Sequence, residues 1–139
     1  MAYDARVGGP DDLSGTGTIA LQGGGPFAAN DELDRRLLAD AGVERVVVLP
    51  TADAFEQPQL LVDAALEWGA RVGVVVEPLM VLTRGQADES AAAVVDGAPA
   101  VMLVGDSSNH LRSALKGTPL FAAIERLLDR GGTVVAAGA

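Results

Sequence analysis

Short, continuous apolar runs recur along this chain and alternate with stretches of helical periodicity. Runs rich in β-branched residues, without polar alternation, are typical of strands that are buried on both faces of a sheet. In the stretches between them, apolar residues recur at helical spacing, as Leu33, Leu37 and Leu38 do. This alternation predicts a parallel sheet with right-handed crossovers in a single α/β domain. The predicted strands are Thr18–Gln22, Arg45–Leu49, Arg71–Val76, Ala100–Val104 and Thr133–Ala137.

Glycines, prolines and capping residues set the expected boundaries. The first helix begins at Asn30 or Asp31 and ends before Gly42. The polar, Gly-rich residues 1–17 predict a flexible leader, and residues 18–139 form the ordered domain. The other predicted helices are Pro58–Trp68, Asp88–Val95, Asn109–Leu115 and Pro119–Arg130, and Leu79–Leu82 is either a short strand or a bent extension.

Composition excludes several classes of function. The net charge of −9 argues against binding to nucleic acid or to an anionic membrane, since both need clustered Lys and Arg. The chain has no cysteine and one histidine, which excludes a disulfide, a thiolate metal site and a zinc site built on two or three histidines, so any metal would need carboxylate ligands. We expect neither a metal nor a cofactor. Neither a signal peptide nor an apolar run long enough to cross a bilayer is present, and we expect a cytoplasmic protein.

Ligands of open α/β sheets bind beyond the carboxyl ends of the strands, where four loops of this chain are expected. The loops are Gly23–Pro26, Pro50–Asp53, Gly105–Ser108 and Gly138–Ala139. Consecutive glycines let backbone N–H groups approach an anion or an oxyanion, although a tight turn accounts for them equally well. Thr51 and Asp53 either face a ligand or only form a local turn, and turn chemistry is favoured.

The third loop places a carboxylate, two hydroxyls and an amide within five residues. Asp106, Ser107 and Ser108 either bind a substrate or cap the helix that follows them. His110 lies next to this loop without an evident carboxylate partner, which favours a helix-start residue over a catalytic base.

The last predicted strand is the most informative element. Thr133–Ala137 is apolar throughout and is expected to be central in the sheet, with further chain covering it. A nucleophile elbow of the form G-x-S-x-G follows such a strand and opens a helix. Gly138 and Ala139 match its first two positions, so the serine would come directly after Ala139.

These segments together resemble the cyanophycinase and aspartyl dipeptidase (dipeptidase E-like) serine peptidases. The likeness runs in order from Thr18 to Ala139. Its clearest segments are the opening strand with its glycine turn at 18–25, the Val-Val-Leu-Pro-Thr-Ala segment at 47–52, the Leu-Lys-Gly-Thr-Pro-Leu segment at 115–120, and the run at 131–139 that enters a Ser-Ala-Gly-Ala elbow. The resemblance implies a three-layer, flavodoxin-like fold of the class I glutamine amidotransferase type, of which this chain is the N-terminal half.

The resemblance also implies a role for individual residues. The nucleophile would directly follow Ala139, and a catalytic histidine would lie further downstream, so no catalytic residue is expected within the chain. Oxyanion and substrate-binding groups would come from Gly24, Gly25 and the loop Gly105–Ser108, with Gly138 and Ala139 flanking the elbow. The family has Gly-Gly-Asp-Gln or Gly-Gly-Asn where this chain has Gly-Asp-Ser-Ser, but a backbone donor needs no particular side chain.

The expected function is therefore that of half of a serine-type peptidase, which hydrolyses peptide or isopeptide bonds through an acyl-enzyme. Its expected partners are the C-terminal half of the same precursor, a peptide substrate and a second copy of the assembled domain. Two origins of the sequence's end are open: a fragment cut before the elbow, or cleavage of a precursor there, including autoproteolysis that leaves a heterodimer. The alternative function is a non-catalytic binding or assembly module that keeps the fold.

Overall fold

The computed structural model describes residues 2–6, 17–22, 27–28 and 30–138, and it describes side chains for all of these except 2–6. The described strands form one six-stranded sheet in the order β1-β2-β6-β5-β3-β4. Five neighbouring strands are parallel, and only β1 is antiparallel to its neighbour. The strands are β1 (Ala2–Arg6), β2 (Thr18–Gln22), β3 (Arg45–Leu49), β4 (Val75–Pro78), β5 (Ala100–Val104) and β6 (Thr133–Ala137).

In the described part of the chain, five α-helices pack on the two faces of this sheet, so the predicted three-layer α/β architecture is confirmed. They are α1 (Asp31–Asp40), α2 (Pro58–Val72), α3 (Glu89–Asp96), α4 (Ser108–Leu115) and α5 (Pro119–Asp129). Short 3-10 turns lie at Thr51–Asp53 and Arg84–Gln86. None of the described helices is both long and apolar enough to span a lipid bilayer.

Each face of the sheet has its own apolar core. Helices α1 and α2 pack on one face, where Leu38 and Trp68 lie against Val46 and Met102. Helices α3, α4 and α5 pack on the other, where Val95 and Leu127 meet Val47, Val101 and Val134. We call these the α1–α2 face and the α3–α5 face.

Strand β6 lies between β2 and β5, which confirms the prediction of a central strand. Its residues Thr133, Val134 and Val135 are buried, and it pairs in parallel register with both neighbours. An apolar run without alternation suits this position because helices pack on both faces of the sheet.

The beginning of the chain differs from the expectation of a flexible leader over residues 1–17. Ala2–Arg6 forms strand β1, which pairs antiparallel with the whole of β2. Glycines and aspartates further along the leader obscured this segment, whose pairing partner is distant in sequence. Pairing with β1 satisfies backbone groups that β2 would otherwise expose at the edge of the sheet.

Helix α2 continues four residues beyond the predicted end at Trp68, and β4 begins later than predicted. Gly69, which was expected to end the helix, lies within it. Glycine is needed there because the backbone oxygen of Val74 and the side chain of Val76 approach too closely for a Cβ. The helix ends instead at Gly73, whose φ of 85° is left-handed. Residues 79–82 form no strand.

Helix α1 also presents a different face from the predicted one. Leu38 is buried and Leu37 is half-buried, but Leu33 is 44% exposed. Asp34 takes the inward position instead and is 2% exposed. The buried acid has specific partners, which are described with the site.

Candidate active site

The carboxyl ends of β3 and β5 form a crevice because the chain leaves these neighbouring strands toward opposite faces. After β3 the chain enters α2 on the α1–α2 face, and after β5 it enters α4 on the α3–α5 face. Such a reversal between adjacent parallel strands is the usual ligand position in open α/β sheets. A cleft of about 460 Å³ lies there, lined by Ala52, Phe55, Glu56, Asp106, Ser107, Ser108 and Asn109.

The two loops that form this cleft are fixed to each other by backbone contacts. Gly105 has a φ of 126°, and a Cβ there would lie 2.5 Å from the carbonyl carbon of Ala52. The N–H of Ser107 donates to the carbonyl oxygen of Ala52 at 2.9 Å. Glycine at position 105 is therefore required both by backbone conformation and by lack of space.

Helix α4 begins on the floor of this cleft. The Ser107 hydroxyl caps the helix by accepting from the N–H of His110 at 3.2 Å. Ser107 therefore acts as the helix cap that the sequence allowed as an alternative to substrate binding.

His110 is held by contacts within the domain. Its Nε2 lies 2.7 Å from the carbonyl oxygen of Leu82, which can only accept, so this nitrogen carries a proton. Its ring packs against Phe55 at a centroid distance of 4.5 Å. These contacts agree with a residue at a helix start, and neither of them supplies the carboxylate partner that a catalytic base would need.

The carboxyl end of β6 reaches the same edge of the sheet. The N–H of Gly138 donates to the carbonyl oxygen of Gln22 at 3.3 Å, and the N–H of Gly105 donates to the carbonyl oxygen of Ala137 at 3.2 Å. A Cβ at Gly138 would overlap the carbonyl oxygen of Gly105. Strands β2, β6 and β5 therefore present their ends side by side, with Gly138 between Gln22 and Gly105.

Several predicted site residues fall outside the described part of the chain. Gly24, Gly25 and Ala139 are among them, so their predicted roles stay predictions. Thr51 is fully buried, and its hydroxyl donates to the carbonyl oxygen of Val81 at 2.6 Å, so it joins two loops. Asp106 and Ser108 are exposed on the cleft.

Behind this edge lies a buried polar cluster that the sequence analysis did not predict. Asp34 accepts hydrogen bonds from the Trp68 indole N–H, at 2.8 Å, and from the Gln22 side-chain amide. Burial raises the pKa of Asp34 above its ordinary value, although both hydrogen bonds oppose that shift. Among the described residues, the Gln22 Oε1 has no hydrogen-bond partner.

The chemistry available in the cleft is that of carboxylates, hydroxyls and backbone amides. The described residues that line it include Glu56 and Asp106 but no lysine or arginine. Among the described residues, no group of three or more His, Cys, Asp or Glu side chains is placed to hold a metal ion.

Comparison with known proteins supports the fold and gives no family. No family model and no curated protein matches the chain. A crystal structure of a peptidase from an acI-B1 actinobacterium is similar, with a TM-score of 0.81 and 24% sequence identity. The alignment covers 89% of this chain but only 55% of the peptidase chain, so this chain spans about half of that α/β structure.

Proposed function

We propose that this chain is the N-terminal portion of a cyanophycinase-like serine peptidase that hydrolyses peptide or isopeptide bonds. In this proposal a serine directly after Ala139 attacks the scissile carbonyl, and a histidine further downstream takes its proton. An acyl-enzyme forms and water releases it, while backbone amides hold the oxyanion. The chain itself supplies the sheet and the loops around the reacting group.

The position of Gly138 is the observation that carries this proposal. It follows the central strand and packs between Gln22 and Gly105, beside the loops that form the cleft. A nucleophile elbow needs such a strand end, where a sharp turn exposes the following side chain. The partial likeness to a peptidase structure, of which the chain covers 55%, is consistent with a continuation that carries the nucleophile.

Backbone contacts narrow the proposed oxyanion donors within the loop Gly105–Ser108. The N–H groups of Gly105 and Ser107 already donate to Ala137 and Ala52, so they are not available to a substrate. Ser108 is the first residue of helix α4, where the helix dipole favours negative charge. Because Ser108 begins this helix, we assign the role in this loop to its N–H.

The altered loop favours a second candidate function, which is a non-catalytic binding module with the same fold. Two of its four N–H groups are committed to contacts within the domain, and an exposed carboxylate at Asp106 borders the cleft. In this alternative the cleft binds a ligand without covalent chemistry.

The two functions are separated by the residue encoded after Ala139 and by its reactivity. In the full-length protein, we expect a fluorophosphonate probe to label a serine at that position, as identified by peptide mass spectrometry. We also expect hydrolysis of α-aspartyl dipeptides or of β-aspartyl-arginine, and its loss by roughly 10³-fold or more when that serine is replaced by alanine.

A matched control uses another serine of the chain. Ser90 is exposed at the start of α3 and does not line the cleft, so Ser90→Ala should retain labelling and hydrolysis. A different residue after Ala139, or a serine that neither labels nor supports hydrolysis, would leave the binding module as the better interpretation.

Autoproteolysis at this bond is a separate hypothesis. Cleavage directly before the serine would give that residue a free α-amine, which can serve as its own base. Intact-mass measurement of the longer precursor and of its Ser→Ala variant tests this, since self-cleavage requires that the variant stay uncut.

A further inference from the structure

Strand β2 buries the polar side chain of one residue and exposes the apolar side chain of its neighbour. Gln22 is 7% exposed on the α1–α2 face, whereas Leu21 is 47% exposed on the α3–α5 face. In register with Leu21 lie Ala136 of β6 and Leu103 of β5, both only half-buried. We call Leu21, Ala136 and Leu103 the open row, because no described helix covers it completely.

The open row continues into an apolar groove. Leu103 is shared by the row and by a groove of about 380 Å³, whose lining is Leu103, Ser108, Leu111, Arg112, Leu115, Lys116 and Phe121. Phe121 is 40% exposed at the start of α5. The row and the groove therefore form one apolar surface at the carboxyl end of β2, β6 and β5.

Two cations border this surface in a chain whose net charge is −9. Arg112 and Lys116 both lie on α4 or directly after it and are exposed. Within the described residues, neither side chain forms an ion pair. Charge complementarity therefore favours an occupant with acidic side chains along one edge.

The topology of the sheet indicates on which face a segment that follows β6 would lie. Crossovers toward the β4 edge, through α1 and α2, run on the α1–α2 face. Crossovers toward the β1 edge, through α3 and then α4 and α5, run on the α3–α5 face. Right-handed connection requires a segment that leaves β6 toward the β1 edge to lie on the α3–α5 face, above the open row.

We propose that the segment following Ala139 in the full-length protein covers the open row as an amphipathic helix. Its apolar side would pack on Leu21, Ala136 and Leu103, and acidic side chains would lie beside Arg112 and Lys116. This inference rests on the proposed function only in assuming a continuation of the chain, and it names the surface that the continuation uses. The alignment covers only 55% of the similar peptidase chain, which is consistent with further chain in the full-length protein.

Thiol protection tests this proposal, because the chain has no cysteine of its own. Leu21→Cys reports on the open row, and Leu66→Cys is its control, since Leu66 is 45% exposed on α2. In the full-length protein, we expect maleimide to label the thiol of Leu21→Cys more slowly than that of Leu66→Cys by roughly tenfold or more, as read by peptide mass spectrometry. In the 139-residue chain, the two thiols should react at similar rates.

Equal labelling of the two thiols in the full-length protein would overturn the proposal. Protection of the thiol at position 21 in the full-length protein that rises with protein concentration would overturn it as well, because a second copy would then be the occupant. Hydrolysis is not part of this measurement. A protein that protects this thiol but hydrolyses nothing would contradict the proposed function alone, and an active protein in which the thiol reacts freely would contradict the helix alone.

A charge-reversal variant tests the polar side of the same surface. Arg112→Glu combined with Lys116→Glu should lower the melting temperature of the full-length protein and raise the labelling rate of Leu21→Cys. The same double substitution should leave the melting temperature of the 139-residue chain nearly unchanged, since both side chains are exposed there. An unchanged labelling rate at position 21 would argue against acidic residues in the occupant.

Discussion

The two faces of the sheet differ most at β2, where one residue is buried and its neighbour is largely exposed. On the α1–α2 face, Gln22 is almost completely buried, and its side-chain amide donates a hydrogen bond to Asp34, which also accepts one from the Trp68 indole N–H. On the α3–α5 face, Leu21 leaves nearly half of its surface in solvent. One face thus buries even polar groups by giving them partners, whereas the other leaves an apolar group uncovered.

This difference shows that burial along β2 follows which helices are present rather than which residues are apolar. Burying an amide costs free energy unless it forms hydrogen bonds, and Asp34 offsets that cost. Full burial of a leucine stabilises a fold by about 1.5–3 kcal/mol, so the exposure of Leu21 forfeits part of that amount. A covering segment would recover it.

The largest expected effect on stability is at Gly105, in the loop that leads from β5 to α4. Gly105→Ala should lower the free energy of unfolding by about 3 kcal/mol or more, because its Cβ would collide with the backbone at Ala52. Urea denaturation measures the change.

Gly73→Ala is the matched control for that substitution. Gly73 also has a positive φ, 85° against 126° at Gly105, but no described atom lies within 4 Å of the added Cβ. It should cost only about 1–2 kcal/mol, from backbone conformation alone. Equal costs at the two positions would show that the loops of the cleft separate easily.

The next largest effect concerns the buried polar cluster of Asp34, Gln22 and Trp68 on the α1–α2 face. Asp34→Ala leaves the Trp68 indole N–H and the Gln22 amide without their acceptor, at a cost of roughly 1–3 kcal/mol per stranded donor. Asp40→Ala, at an exposed position of the same helix, should change stability by less than about 0.5 kcal/mol. Similar unfolding midpoints for the two variants would contradict the proposed role of Asp34.

The pH dependence of stability sharpens the same contrast. Because the pKa of Asp34 is raised on folding, the native state holds its proton more tightly than the unfolded chain does. Stability from this group is fully present below its ordinary pKa of 3.8 and is lost as the pH rises through the higher native value.

Asp34→Asn provides the measurement of that pH effect. The asparagine oxygen can still accept from Trp68 but does not titrate in this range. We therefore expect wild type to lose stability relative to Asp34→Asn as the pH rises above 3.8, in parallel urea titrations. A gain over the same range would mean that the hydrogen bonds outweigh burial.

The smallest expected effect is at the open row. In the 139-residue chain, Leu21→Gln should change the free energy of unfolding by less than about 0.5 kcal/mol, because the side chain is already half solvated. Leu38→Ala on the α1–α2 face should lower the free energy of unfolding by about 2 kcal/mol or more, because Leu38 is buried. A large cost at Leu21 would indicate that the 139-residue chain already covers this row in solution.

Local patterns predicted the bounds of β2, β3, β5 and β6 and the central place of β6, since continuous apolar runs require cover on both faces. They did not predict that Asp34 is buried, because a carboxylate in an amphipathic helix is expected to face solvent. Hydrogen bonds from Gln22 and Trp68, which are distant in sequence, offset the cost of burying this carboxylate. Strand β1 was missed for the same reason, since its pairing with β2 is not a local property.

The candidate site was predictable as a set of loops but not in its internal bonding. The rule that ligands lie at the carboxyl ends of strands located Gly105–Ser108 and Gly138. It does not specify that Ser107 caps α4 and donates to Ala52, because those contacts depend on how closely β3 and β5 pack at their ends.

The contact between Gly138 and the carbonyl oxygen of Gly105 has an evolutionary consequence. A side chain at position 138 would force two central strands apart, so glycine is required there by sheet geometry whether or not any bond is hydrolysed. Homologues that had lost all activity would still be under selection to keep this glycine. Glycine at this position therefore does not distinguish active relatives from inactive ones, and the proposed function needs the proposed serine for that distinction.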